Sequence, residues 1–335
     1  MDRSPGSSSA EYPVVVAREL ERRRHVVFTG LLVAFLVALL LLPVFLIGTR
    51  FYARHSNYLS DAMIDFKGSL AGADSDTVVY GDSSALYNVV PAVINKATNL
   101  SVYNLGYVIS VFTGAPNLML DRYLQMNKSP RTIILYISPT TGVYNIDLDS
   151  IHYYETAVVL ERFASLKDVL KFYLHSPQRI FGVAAVAFRN LLAPPQPTEE
   201  FYKRLTKELS NDDGWIPSPD KAFFKGFGVR PNMAKTLNVG LVADARYITE
   251  FKKKYQALGA KVLVYVSPIP ECPNSDISVD DVKSAYRNLA DNEPYSFPCD
   301  SFTDGFHLLP QAATANSMRV ASFLSSKLNL ASAEQ

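Results

Sequence analysis

The sequence predicts an α/β fold in which a mostly parallel sheet is covered by helices on both faces. Two observations carry this. Short apolar runs at Thr77 to Tyr80, Leu100 to Gly106, Arg131 to Ile137 and Lys261 to Val266 alternate with stretches of helical period. The runs are apolar at nearly every position, as strands buried on both faces are, rather than at every second one. A third observation stands apart from the sheet: Val26 to Gly48 holds 23 residues without a charge, directly after Arg18, Arg22, Arg23, Arg24 and His25.

Composition bounds the rest. With 335 residues, 48% of them hydrophobic, there is enough for one sizeable core, or for a membrane segment plus one domain. Lys+Arg 33 against Asp+Glu 32 leaves no basic footprint, so nucleic acid is not an expected partner. The two cysteines, Cys272 and Cys299, have neither zinc-ligand nor Cys-x-x-Cys spacing. There is no internal repeat and no Gly-rich phosphate loop.

In chain order, residues 1–25 read as a cytoplasmic tail and 26–48 as a transmembrane anchor. At about 1.5 Å per residue that run crosses a hydrocarbon core of about 30 Å. The arginines before it place the N-terminus in the cytoplasm and the rest outside. No small-x-small cleavage site follows, so the segment reads as an uncleaved signal anchor. Residues 49–75 read as a stalk, with a short surface helix at Asp61 to Phe66. The main domain spans 76–330, with a mainly helical insertion at 151–240.

The first strand, Thr77 to Tyr80, ends in Gly81-Asp82-Ser83, a tight turn that leaves the Ser83 hydroxyl at its carboxyl end, where open α/β sheets bind ligands. The second strand ends at Gly106, a helix follows around Pro116 to Met126, and the third strand runs to Ile137. In the insertion, Val159, Leu160, Phe163, Leu166, Val169, Leu170 and Tyr173 recur at helical spacing. Ile180 to Leu192 is apolar on nearly all sides. It is too short to span a bilayer and is either a buried helix or one lying against a membrane or partner. Thr198 to Leu209 is a polar helix. Asn211 to Asn232, which contains Trp215, is either a functional lid or a structured surface excursion. A helix through Leu241 to Leu258 stops at Gly259, and the fourth strand follows. Ser278 caps a helix, Tyr295 to Cys299 is a fifth short strand, and Pro310 opens the last helix. If the fourth and fifth strands are neighbours, Cys272 and Cys299 share a sheet edge and form a disulfide. The alternative is two buried thiols.

The chemistry rests on two short stretches. Ser83 is either an ordinary turn serine or a nucleophile, and a hydroxyl is weak without a base. His307 has an acid three residues earlier, Asp304, which can fix its tautomer and leave the other ring nitrogen facing Ser83. The bland reading of that pair is helix capping.

Gly81-Asp82-Ser83 after the first strand, with Asp304-x-x-His307 before the last helix, resembles the SGNH (GDSL-like) hydrolase superfamily. The resemblance implies a three-layer, flavodoxin-like sheet and a serine acyl-enzyme built on Ser83, Asp304 and His307, with no cofactor and no metal. It implies oxyanion donors around Asn104, Gly106 and Ser110. Ser138-Pro139-Thr140-Thr141 departs from the family's third block. Together with the anchor, it resembles the membrane-bound branch that O-acetylates alginate, cellulose and cell-wall polymers. The function implied is acyl transfer to an exported polysaccharide. The protein would sit in a bacterial inner membrane with its catalytic domain in the periplasm, beside a membrane-bound O-acyltransferase. A polysaccharide deacetylating esterase and a non-catalytic scaffold are the rival readings.

Overall fold

The computed structural model describes residues 21–33, 35–37, 59–107, 117–139, 150–175, 180, 182–183, 185, 199–218, 245–272 and 277–330. The chain divides into two compact units, Met1–Arg54 and His55–Gln335.

In the first unit, residues 21–33 and 35–37 are helical, and Val26, Phe28, Leu31 and Phe35 are exposed. Among the described residues no helix is long and apolar enough to cross a membrane. The expected transmembrane anchor at 26–48 is therefore corrected. With it go the membrane attachment, the signal-anchor topology, the periplasmic placement and the position beside a membrane-bound O-acyltransferase. Residues 38–48 lie outside the described residues.

The second unit is built on a sheet of four parallel strands. These are β1 (Thr77–Gly81), β2 (Val102–Gly106), β3 (Thr132–Ile137) and β4 (Lys261–Val266), in the order β2-β1-β3-β4. Every residue of β1, β2 and β3 is buried, which explains why these runs lack polar alternation. Alternate side chains serve opposite faces. On one face Val79, Ile134, Tyr136, Leu263 and Tyr265 pack with α2 (Ser83–Asn88), α3 (Pro91–Thr98) and the long α10 (Pro310–Leu328). On the other, Tyr80 stacks on Phe251 of α8 (Ala245–Gln256), and Tyr103 on Tyr123 of α4 (Leu118–Met126). The expected parallel α/β sheet flanked by helices is present.

The expected stalk is not free. Its residues 59–68 form α1 (Leu59–Gly68), whose Met63 and Ile64 are buried, so the domain begins ahead of the first strand. Within the insertion, α5 (Ser150–Phe163), α6 (Leu166–His175) and α7 (Glu199–Asn211) are described; most of Ile180 to Leu192 is not. Arg162 of α5 pairs with Asp65 of α1 at 2.5 Å.

A second, two-stranded sheet follows β4. It pairs β5 (Ile269–Glu271) in parallel with β6 (Ser296–Pro298) around α9 (Val279–Tyr286). Glu271 stands opposite Pro298, so the next residue of each strand meets its counterpart: Cys272 and Cys299 are disulfide-bonded, their Cα atoms 4.9 Å apart. The pairing expected from neighbouring strands is present, although the strand ahead of Cys272 is β5 rather than β4.

Candidate active site

The chain turns in opposite senses on leaving β1 toward β2 and on entering β3 on its other side. In such sheets the crevice beyond the carboxyl ends of those strands is the binding position. Ser83 stands there, two residues past Gly81, as the first residue of α2. Gly81 is required by the close approach of β3: a Cβ on it would lie 2.1 Å from the Tyr136 carbonyl oxygen. Asp82 caps the helix, its Oδ1 accepting from the Ser84 N–H at 2.8 Å. This keeps Asp82 structural and leaves Ser83 half-buried with its hydroxyl turned outward to His307.

His307 arrives from the other end of the chain. After β6 and a 3-10 turn at Cys299–Ser301, the backbone folds back on itself. Phe302 bridges Leu308, the Thr303 N–H donates to the His307 carbonyl, and the Leu309 N–H donates to the Ser301 carbonyl, each of the last two at 2.8 Å. Phe302 and Leu308 are buried with Val90 and Ala313, which anchors this loop over the end of α2.

The loop presents three aligned groups. His307 Nε2 lies 2.8 Å from Ser83 Oγ, and His307 Nδ1 lies 2.7 Å from Asp304 Oδ2. Asp304 Oδ1 accepts the N–H groups of Phe306 and His307 at 2.8 and 3.0 Å. Burial pushes the Asp304 carboxyl up. The His307 charge and these hydrogen bonds outweigh it and hold the group below the ordinary carboxylate value. A charged Asp304 keeps the proton on Nδ1 and the lone pair of Nε2 facing Ser83. Tyr87 sets its ring edge against the imidazole at 4.8 Å. Burial, with the nearby Asp304 and Glu155 charges, pushes the Tyr87 phenol up, so this wall of the site is neutral.

The expected oxyanion donors fare differently. Asn104 is fully buried, and its Nδ2 donates to the Ala85 and Val89 carbonyls at 2.8 and 2.7 Å. Its Oδ1 takes the Gly106 N–H at 2.8 Å. The Nδ2 is consumed in fastening α2 to β2, and the Oδ1 in holding the end of β2 itself. Gly106 is there for packing, since a Cβ would come within 2.3 Å of the Leu86 nitrogen. Ser110 lies outside the described residues. The Ser83 N–H, first in its helix, has no intrahelical acceptor and is the donor that the geometry leaves free.

Trp215 is not an open stacking surface. Its indole donates to the Tyr87 carbonyl at 2.9 Å, and the ring packs beside Phe302 and Leu308. Ser218, three residues on, shares a hydrogen bond of 2.8 Å with Thr303. Residues 212–218 thus back the site as packed chain, and 219–244 lie outside the described residues. Among the described residues no group of His, Cys, Asp and Glu is placed to hold a metal ion.

No family model matches the chain, and neither a curated protein nor a solved structure matches it. The resemblance to the SGNH superfamily, and to its membrane-anchored acetylating branch, is therefore not upheld. The physical reason is visible in the site: Asn104 and Gly106, which suggested a second family block, are packing groups. What is left of the likeness is two short motifs, which any serine–histidine site on this topology could carry.

Sequence reasoning also missed a residue. Asn88, at the end of α2, is hydrogen-bonded to the peptide groups on both sides of His307. Its partners lie about 220 positions away, and no local pattern marks it.

Proposed function

We propose that this chain catalyses O-acyl transfer from a carboxylic ester through an acyl-enzyme on Ser83. The observation that supports it is the paired contact of His307, 2.8 Å to Ser83 Oγ on one ring nitrogen and 2.7 Å to Asp304 on the other. This is the arrangement that converts a weak hydroxyl into a nucleophile.

The steps follow from those atoms. His307 Nε2 takes the Ser83 proton as Oγ bonds to the ester carbonyl carbon. The carbonyl oxygen becomes an oxyanion beside the Ser83 N–H. The bond from carbon to the leaving oxygen breaks, and that oxygen takes the proton from Nε2. The acyl group is now on Ser83. A second hydroxyl gives its proton to Nε2 and attacks the same carbon; Oγ leaves and recovers the proton. Asp304 stays ionised throughout and balances the imidazolium. When the second hydroxyl belongs to water the reaction is hydrolysis. When it belongs to a sugar of a polysaccharide it is acylation of that polymer, with acetyl the first acyl group to test.

The test uses the whole chain. A fluorophosphonate probe should label Ser83, and p-nitrophenyl acetate should be hydrolysed by the wild type and not by Ser83→Ala. An oligosaccharide that raises the rate of p-nitrophenol release and leaves with the acetyl group identifies a transferase; release of acetate alone identifies an esterase. Failure of the wild type to react with either reagent points to a scaffold and ends the acyl-transfer reading.

A further inference from the structure

Asn88 is the last residue of α2, five positions after Ser83, and is fully buried. Its side chain spans His307. Oδ1 accepts the Leu308 N–H at 2.7 Å, and Nδ2 donates to the Phe306 carbonyl at 2.9 Å. One planar amide thus holds the backbone on both sides of the imidazole, which fixes its rotation as well as its distance.

Asn88 is itself held from two further sides. Its carbonyl accepts from Asn316 Nδ2 of α10 at 2.6 Å. Its Nδ2 also reaches Ser267 Oγ, just after β4, at 3.3 Å, and that hydroxyl lies 3.2 Å from the Tyr136 hydroxyl of β3. The amide therefore ties the helix of Ser83 and the loop of His307 to the end of β4 and, through Ser267, to Tyr136 of β3. The loop's other fastenings do less: the Ser218–Thr303 hydrogen bond ties it to residues 212–218 rather than to the helix of Ser83. Its internal hydrogen bonds preserve its own shape but not its place relative to Ser83. The apolar burial of Phe302 and Leu308 sets its depth but is non-directional and tolerates sliding.

We propose that Asn88 is a positioning residue that sets the Nε2–Oγ distance for acyl transfer; the proposal rests on the acyl-transfer reading above. The role needs an amide of this length. Aspartate has no donor for the Phe306 carbonyl, alanine has neither group, and glutamine carries one methylene too many for the gap.

The experiment compares full-length Asn88→Ala and Asn88→Asp with the wild type and with Ser83→Ala. Asn88→Asp keeps the volume and the acceptor for Leu308 but sets a buried carboxyl oxygen against the Phe306 carbonyl, so rates are compared only for variants that circular dichroism and urea unfolding show to be folded. The rate of fluorophosphonate labelling and kcat for p-nitrophenyl acetate should both fall about 100-fold, the cost of an ångström of misplacement, with KM within about twofold. The low-field proton signal of His307 Nδ1–H, read by NMR in the Ser83→Ala background, should shift or broaden when Asn88 is also changed. A wild-type rate and an unmoved proton signal in the folded variants, with only a lowered unfolding midpoint, would mean that Asn88 merely holds the fold, and would overturn the proposal. If Ser83→Ala itself hydrolyses the ester at the wild-type rate, the acyl-transfer reading falls, and the proton signal still decides whether Asn88 positions His307.

Discussion

Asp304→Asn replaces a single oxygen with an amide nitrogen, and its effect can be worked from the contacts. In the wild type, Oδ1 accepts two backbone N–H groups while Oδ2 accepts the Nδ1 proton of His307. The asparagine oxygen can keep the two backbone bonds. Its NH2 then faces Nδ1, and two donors would meet. The clash is relieved when His307 changes tautomer, which leaves Nδ1 bare and puts the proton on Nε2, against Ser83. The fold is kept and the base is lost. A tautomer inversion of this kind costs about four decades in rate. At about 1.36 kcal/mol per decade that is roughly 5 kcal/mol of transition-state stabilisation. The loss in stability is smaller, that of one hydrogen bond to a charged group, roughly 1.5–3 kcal/mol. Its pH dependence has a fixed sign. The Asp304 pKa is lowered from 3.8, so the unfolded chain takes up the proton first as the pH falls. The stabilisation is complete above 3.8 and disappears as the pH falls through the lower folded value. Initial rates with p-nitrophenyl acetate at mildly alkaline pH, and urea unfolding of both proteins from neutral pH downward, measure the two effects. A variant within tenfold of the wild-type rate would refute the assignment of Asp304 as the group that orients His307.

Three further outcomes are expected. Gly106→Ala forces a Cβ to 2.3 Å from the Leu86 nitrogen, where only backbone could give way. It should cost about 1–3 kcal/mol or more in urea unfolding, and an unchanged midpoint would contradict the packing described. Removing the Cys272–Cys299 bridge by a double serine substitution opens a loop of 27 residues' separation. The loss should be roughly 3–4 kcal/mol, read by thermal and urea unfolding under non-reducing conditions. Lys67 is buried in α1 with its Nζ donating to the Asn104 and Gly106 carbonyls at 2.9 and 2.7 Å, and burial lowers its pKa well below 10.5. Between the folded value and 10.5 the unfolded chain binds the extra proton, so stability should rise with pH over that window. Lys67→Met removes this slope, and equal slopes for the two proteins would rule the mechanism out.

The central strands were legible because both faces of each are covered, which leaves an unbroken apolar run with a polar break at either end. Polar alternation never arises in β1, where even Thr77 is buried with the rest. α2 and α3 were not legible. Ser83–Asn88 is six residues with no second turn of period, and only Gly81-Asp82-Ser83 was read there, as a tight turn; an overlooked sign was Pro91 at the first position of α3. β5 was hidden because Pro270 interrupts a strand of only three residues. For the site, Ser83, Asp304 and His307 could be named since each sits beside a local marker. The direction of Asn104 could not. Whether an asparagine at the end of a strand faces a ligand or a neighbouring helix depends on the helix, and that helix had gone unseen. Hydropathy misled at Val26 to Gly48: an uncharged run of spanning length marks a candidate anchor, but among the described residues no helix is long and apolar enough to cross a membrane.

The separation of Ser83 and His307 by 224 positions gives the site a place in time as well as in space. Contacts this distant in sequence close late, because the chain between them must first be ordered. Synthesis runs from the N-terminus, so Ser83 and the first three strands emerge long before the histidine that would activate it. A nascent chain therefore carries its serine as an ordinary alcohol. In the acyl-transfer reading proposed above, Ser83 becomes reactive only once the loop around His307 stands against it. In refolding, the return of ester hydrolysis set beside the return of sheet signal tests whether the last part of the chain docks in a step of its own.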